Sequence, residues 1–453
     1  MSRFTVFVVP ILMVAGCTGT ADHTIPEPRP LGREIPVHEP AEATASGSAP
    51  ENPAPTGEIV LRDALAAALL GSPRLAAASW EVRAAEARAL KASLYPNPEL
   101  EFEVENFGGS GELEGFDAAE MTLSISQAIP LAGRIAHRTS VAEAEGRLSG
   151  WDYESARLDV LTETARAFVA VLAAQEQVRL AEDAVKLGEE ADRVTGEKVA
   201  AGKASPLESR EAQVALSLER VRLARVRRTA ETARRSLAAT WGEPIPEFTS
   251  VLGDLRRIPP VPPAAALLSL LDENPDLARW DDAVLLSRSR LESERASAWP
   301  DLTLTGGVKE IRELDAHAFL LGFSVPLPLF DRNQSGVDAA AATTRRVEAE
   351  HRAARVRIEA ELRTAWSDLR FAAAEARALS EDVLPGAREA FEAAREGFGQ
   401  GKFTYLELLV AQRALFTTRE MLIASLATCH QAVADVERRI GRSLTEVETE
   451  KQP

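Results

Sequence analysis

The chain is written twice. Ser72-Pro73-Arg74-Leu75 returns as Asn274-Pro275-Asp276-Leu277, Tyr95-Pro96 as Trp299-Pro300, and Ile129-Pro130-Leu131 as Leu327-Pro328-Leu329. Gly202-Lys203 through Leu207-Glu208 to Ala212-Gln213 returns as Gly401-Lys402 through Leu406-Glu407 to Ala411-Gln412, and Gly242 as Gly441. The offsets stay between 198 and 204 positions, so the order survives with small insertions. Both halves must then build the same set of elements. A joint at 243–263, with Pro244, Pro246, Pro259, Pro260, Pro262 and Pro263, separates repeat one (58–242) from repeat two (264–441), and a tail (442–453) follows.

Each repeat changes period twice. Residues 61–94 are helical by composition, and Tyr95-Pro96-Asn97-Pro98 must stop that helix because the prolines remove donors and restrict their predecessors. Glu99–Glu105 and Met121–Ser126 alternate strictly, which predicts two strands around a Gly-rich loop. Helix follows over about 132–199, then a turn at Gly202 and helix over about 205–241. In repeat two, helix runs to Trp299, and strands span 301–309 and 316–325 around a loop at 310–315. Helix then runs over about 334–397, interrupted at Pro385-Gly386, and a last helix after Gly401 ends near Gly441.

The 68 residues of 132–199 make a helix of ~100 Å. The two shorter helices of that repeat, 34 and 37 residues, would match it if stacked end to end. Heptad ladders come in pairs: Leu207, Val214 and Val221 beside Leu216, Leu223, Ala230 and Leu237; Val171, Val178 and Val185 beside Leu180, Leu187 and Val194. One seam makes a dimeric coiled coil. Two seams give each helix neighbours on both sides, as in a closed ring or an ordinary bundle.

Composition excludes other classes. With 52 Lys+Arg against 69 Asp+Glu, the net charge of −17 opposes nucleic-acid binding, which needs a basic surface. The two cysteines, Cys17 and Cys429, make neither a disulfide framework nor a metal site. The six histidines show no i,i+4 pairing, and no catalytic constellation, cofactor motif or metal-ligand set stands out. His317 falls on a strand, as a solvated residue or one that meets a passing metal ion.

The first 16 residues read as a signal peptide. Arg3 precedes an apolar run of 11 residues, Phe4–Val14, too short to span a bilayer. Val14-Ala15-Gly16-Cys17 resembles the lipobox of bacterial lipoproteins, which implies a lipidated Cys17 as the first mature residue in a Gram-negative envelope. Thr18 is not the Asp that tends to hold such proteins at the inner membrane. Residues 17–57, rich in proline, read as an extended tether.

Each strand has one apolar face. Leu100, Phe102 and Val104 oppose Glu99, Glu101, Glu103 and Glu105. A half-buried soluble hairpin shows the same alternation. The strand lengths also fit a tilted membrane span, with Tyr95 and Trp299 at the junctions where an interfacial girdle lies. Four strands cannot close a barrel and lipid forbids open edges, so several chains must contribute; three would supply twelve strands. If the apolar side faces lipid, the four glutamates face the lumen, either as the polar lining any aqueous lumen needs or as a field that attracts cations.

The layout over 58–441 resembles the TolC-like outer-membrane efflux family. Asn97-Pro98-Glu99-Leu100 through Val104-Glu105-Asn106-Phe107-Gly108-Gly109, Phe116–Glu120, Leu123–Gln127 and Val325–Asn333 are most similar to its CzcC-like branch, which serves heavy-metal efflux pumps. The resemblance implies a fold that is mainly α with a small β part: a long coiled-coil tunnel plus two β-hairpins per chain, with a homotrimer forming a 12-stranded outer-membrane barrel. It implies no enzyme and no cofactor, but an exit duct spanning into the periplasm, partnered by a periplasmic adaptor and an inner-membrane pump. Cargo would be divalent heavy-metal cations, or alternatively drugs and organic compounds. A non-pore envelope scaffold is the reading from outside the transport class.

The resemblance also assigns roles. The turns Gly202–Leu207 and Gly401–Leu406 would be periplasmic tips that meet the adaptor, with Leu207 and Leu406 exposed. Their chemistry has a purely structural reading too: Gly202 and Gly401 end helices, and Ser205 and Thr404 cap the returning ones. Glu407 matches an acidic position that rings the tunnel mouth in related ducts, while the position three residues on is Val410 here. Glu208 and Glu211 stand at equivalent depth in repeat one. A first-turn glutamate also suits the helix dipole.

Overall fold

The computed structural model of the protein describes residues 54–444. The signal segment, Cys17, nearly all of the tether and the end of the tail lie outside the described residues. β1 (Gly57–Val60) leads into α1 (Leu61–Gly71) and α2 (Pro73–Ser93). β2 (Glu99–Glu105) and β3 (Glu120–Ile129) form a hairpin, and α3 (Arg134–Ala200) runs for 67 residues before α4 (Pro206–Ala239) returns. β4 (Phe248–Leu252) and α5 (Ala264–Leu268) precede α6 (Pro275–Ser297). β5 (Leu302–Ile311) and β6 (Ala316–Ser324) make the second hairpin. α7 (Gln334–Ala378), a π-helical turn (Leu379–Val383) and α8 (Leu384–Gly399) form one continuous rod, and α9 (Tyr405–Ile440) returns along it.

The helices form a bundle around α3, which lies against α2, α4, α6 and α9, while α7 lies against α6 and α9. The short helices do meet end to end. A Cβ at Gly71 would come within 2.8 Å of the Trp241 carbonyl, so the close of α4 sits directly on the α1–α2 junction. In the second half, buried Asn274 bridges the joint: its Oδ1 accepts from Asp276 N at 2.7 Å, and its Nδ2 donates to the Arg439 carbonyl at 2.8 Å. One side chain thus caps the start of α6 and the end of α9. The core gathers there, with Leu267, Leu362, Leu369, Val436 and Ile440 in one half and Ile59, Phe168, Leu237, Trp241 and Phe248 in the other.

Four features differ from the sequence expectation. The helix placed at 61–94 is two helices, because Pro73 pushes Ser72 into an extended conformation (φ −64°, ψ 118°) and begins a new one. The joint at 243–263 holds a strand: β4 pairs in parallel with β1, where the tether was expected to end unstructured, and buries Phe248 and Val251 against Trp241. The helix does not break at Pro385-Gly386. Leu384 N–H instead donates to the Leu379 carbonyl five residues back, and this wider turn absorbs the donor and the space that Pro385 denies to an ordinary helix. β3 is also longer at both ends than 121–126, since its flanks pair with β5.

Candidate functional site

The two hairpins join into one antiparallel sheet of order β2-β3-β5-β6, leaving β2 and β6 as edges. Register decides which side chains share a face. Glu99, Glu101, Glu103 and Glu105 stand opposite Ser126, Ser124, Thr122 and Glu120. Continuing across β3, Ser126, Ser124 and Thr122 stand opposite Thr305, Gly307 and Lys309. All of these are polar or glycine. The other face carries Leu100, Phe102 and Val104, then Ile125, Leu123 and Met121, then Leu304 and Val308, then Phe323, Leu321 and Phe319.

On β3 the polar face is the sheltered one, with Thr122 and Ser124 only 8% and 5% exposed, while the glutamates of β2 stand open on the edge strand. The apolar face is bare: Phe319 is 91% and Leu321 90% exposed. A continuous apolar face of this kind needs an apolar medium or partner. Tyr95, Trp299 and Phe330 are exposed at the helix end of the same sheet. His317 pairs with Glu310 at the loop end of β5–β6, in register with the apolar face and away from the glutamate row.

Lys309 is the functional residue that sequence reasoning passed over. It donates to Glu105 Oε2 at 3.2 Å and forms an ion pair with Glu120, so one ammonium spans three strands. Extending the period of two from Thr303 and Thr305 would have put it on the polar face. Its partners follow only from the register.

At the far end of the bundle the two turns are built alike. Gly202 and Gly401 take φ of 70° and 74°, a region that favours glycine. Lys203 N donates to the Lys198 carbonyl and Lys402 N to that of Gly397, both at 2.8 Å, closing each helix with a six-to-one bond. The returning helices open on matching capping boxes. Leu207 N donates to Ser205 Oγ and Ser205 N to Glu208 Oε1, both at 3.2 Å. Thr404 N donates to Glu407 Oε2 at 2.7 Å.

The Thr404 backbone N–H, followed by its hydroxyl, holds the Glu407 carboxyl below the usual carboxylate range. Glu211 and Val410, a turn further along their helices, are exposed. Leu207 and Leu406 are 65% and 61% exposed. The turns are tied together by Lys198, whose Nζ donates to the Phe398 carbonyl at 2.5 Å and lies over the Phe398 ring. Ala191 and Ala212 of the first tip share a core with Phe391, Phe398, Tyr405 and Leu408 of the second.

The structure therefore brings the candidates together as two groups at opposite ends: the glutamate row on the sheet, and both turns with Glu208, Glu211 and Glu407 at the tips. Among the described residues no group of three or more His, Cys, Asp or Glu side chains is placed to hold a metal ion, and no helix is long and apolar enough to cross a membrane.

Comparison with known proteins gives a consistent result. The family described as outer membrane efflux protein matches residues 64–243 and 266–442. The cobalt-zinc-cadmium resistance protein CzcC of Cupriavidus metallidurans is 33% identical over 85% of this chain and 91% of its own length. The nickel-cobalt-cadmium resistance protein NccC of Alcaligenes xylosoxydans is 26% identical over 70% of each chain. The outer membrane protein VceC of Vibrio cholerae superposes with a TM-score of 0.69 at 18% identity, over 84% of this chain and 96% of that one.

Proposed function

The chain belongs to the outer membrane efflux protein family, and from that membership we propose that this exit duct carries divalent heavy-metal cations as the outer-membrane part of a tripartite, RND-type system. The observation that carries the cargo is the 33% identity to a cobalt-zinc-cadmium resistance protein over nearly the whole of both chains. The glutamate row on the polar face of the sheet supports it. Deleting the gene should sensitise the cell to cobalt, zinc, cadmium or copper salts. Sensitivity confined to organic compounds would make the duct a drug or organic-compound exporter instead. Single-channel conductance from purified protein separates a duct from a scaffold without a pore.

Assembly follows from the sheet. Its two edges and bare apolar face support a homotrimer in which three four-stranded sheets close twelve strands within the outer membrane. Glu99, Glu101, Glu103 and Glu105 then line the lumen. Cys17 would carry the lipid anchor. Cys17→Ser should remove the lipid and slow membrane insertion, yet leave some trimer, since strand pairing and helix packing drive assembly. A wholly soluble, monomeric variant would sink the barrel.

The tips, with Gly202, Ser205, Leu207, Gly401, Thr404 and Leu406, would meet the periplasmic adaptor of an inner-membrane pump. Glu407, with Glu208 and Glu211 at equivalent depth, would ring the mouth. Its bonds to Thr404 hold the carboxyl below the usual carboxylate range, so it is ionised at neutral pH, and three such carboxylates close together would attract divalent cations and repel one another. Glu407→Gln should weaken block by added multivalent cations and reduce cation preference in single-channel recordings. Equal block and selectivity would leave Glu407 as the capping residue that its bonds to Thr404 already make it.

A further inference from the structure

We infer that Lys309 sets the ion selectivity of the duct's outer end, by filling the place between Glu105 and Glu120 where a divalent cation would otherwise lodge. The inference rests on the duct reading above. Glu105 and Glu120 are direct partners across β2 and β3. Opposed residues on one face bring their Cβ atoms within about 5 Å, and like charges so placed repel. Two converging carboxylates are also the hard oxygen ligands that a divalent cation takes. Lys309 enters from β5, where it pairs with Thr122, and its ammonium bonds both carboxylates at once. The protein's own cation thus occupies the position a metal ion would hold.

The rest of the row is different. Glu99, Glu101 and Glu103 face Ser126, Ser124 and Thr122, all neutral partners. Glu99 lies at the helix end of its strand and Glu105 at the loop end, so carboxylates with neutral partners sit toward the helices and the compensated pair sits toward the loops. A cation is attracted where it enters and finds no stopping place where it leaves. A conducting path needs that second property as much as the first, because a tight terminal site would retain the cargo. It would also admit cations from outside.

The test is reconstitution of wild type, Lys309→Gln and Lys309→Arg in planar bilayers. Reversal potentials are read under a salt gradient, and block by Co²⁺ is read from each side in turn. Lys309→Gln should be more cation-selective and should be blocked from the loop side at roughly a tenth of the Co²⁺ that wild type needs. Lys309→Arg should behave as wild type. The complementary Glu105→Gln/Glu120→Gln variant carries no paired carboxylates to repel each other and leaves Lys309 uncompensated, so its selectivity should move toward anions. That variant decides the matter even if Lys309→Gln does not assemble. Conducting channels with unchanged selectivity and block across these variants would overturn the inference and leave the duct reading standing. Absence of conductance in every protein, wild type included, would overturn both.

Discussion

A chain carrying both Leu207→Asp and Leu406→Asp should assemble and conduct, yet confer no export. Both leucines are exposed at the tips, so no core contact is lost when they change. The capping boxes use Ser205, Glu208, Thr404 and Glu407, none of which is altered, so both turns should keep their form. If the exposed leucines are covered by the adaptor, each substitution puts an unpaired carboxylate into that contact. Such a burial costs on the order of 3 kcal/mol, roughly a hundredfold in affinity. Six substituted positions in a trimer leave little association. Site-directed crosslinking to the adaptor reads the effect directly: trimers with full conductance and unchanged crosslinking would remove the tip-docking proposal.

Replacing Arg438 with methionine should produce the largest loss of stability. The side chain is 12% exposed and ties α9 to two other helices. Its Nε meets Asp159 Oδ1 at 2.7 Å, its Nη1 lies 3.0 Å from Asp276 Oδ2, and its Nη2 donates to Ser155 Oγ at 3.0 Å. Asp159 also holds Arg74 at 2.6 Å, so α2, α3, α6 and α9 share one network beside the Asn274 joint. Methionine fills the space but leaves two partly buried carboxylates short of a partner. Breaking such a pair costs about 2–4 kcal/mol, at the lower end here because both carboxylates keep some solvent.

The pH dependence has a definite sign. Burial acts to raise the Asp276 pKa, but the Ser155 hydroxyl and the Arg438 guanidinium outweigh it and hold the carboxyl below its usual range. A depressed carboxylate contributes stability that is present above its unfolded pKa and is lost as pH falls through the folded value. The deficit of Arg438→Met should therefore be full at neutral pH and shrink in acid. Unfolding midpoints of wild type and variant across pH 2–7 test this. A constant difference would place the effect in packing alone.

The parts of the fold that could be read from the residues are those fixed locally. Gly202 and Gly401 end helices through their own backbone freedom, and Ser205 and Thr404 begin helices through their own oxygens. The alternation in Glu99–Glu105 likewise sorts its side chains onto two faces without outside help. What could not be read depends on partners distant in sequence. β1 is four residues long, too short for a period to show, and its parallel partner lies in a segment whose prolines read as linker. Ser72-Pro73 reads equally as helix interior and helix start, because proline is welcome in a first turn. Lys309 was visible as a strand residue, but its grip on Glu105 and Glu120 exists only once β3 lies between β2 and β5.

The π-helical turn at Leu379–Val383 has a rotational consequence. An α-helix advances about 100° per residue, and a turn closed over five residues instead of four inserts one residue without adding a full turn of rise. Everything beyond it, α8 and the Gly401 tip, is therefore out of screw phase with α7 by about one residue's rotation. Heptads counted from α7 point α8 in the wrong direction. The azimuth at which the second tip meets its surroundings is set by that single extra residue beside Pro385, which makes the segment the rod's torsional adjustment. Were the same residues wound as a plain α-helix, the tip would swing about 100° around the axis while every heptad in the sequence stayed intact.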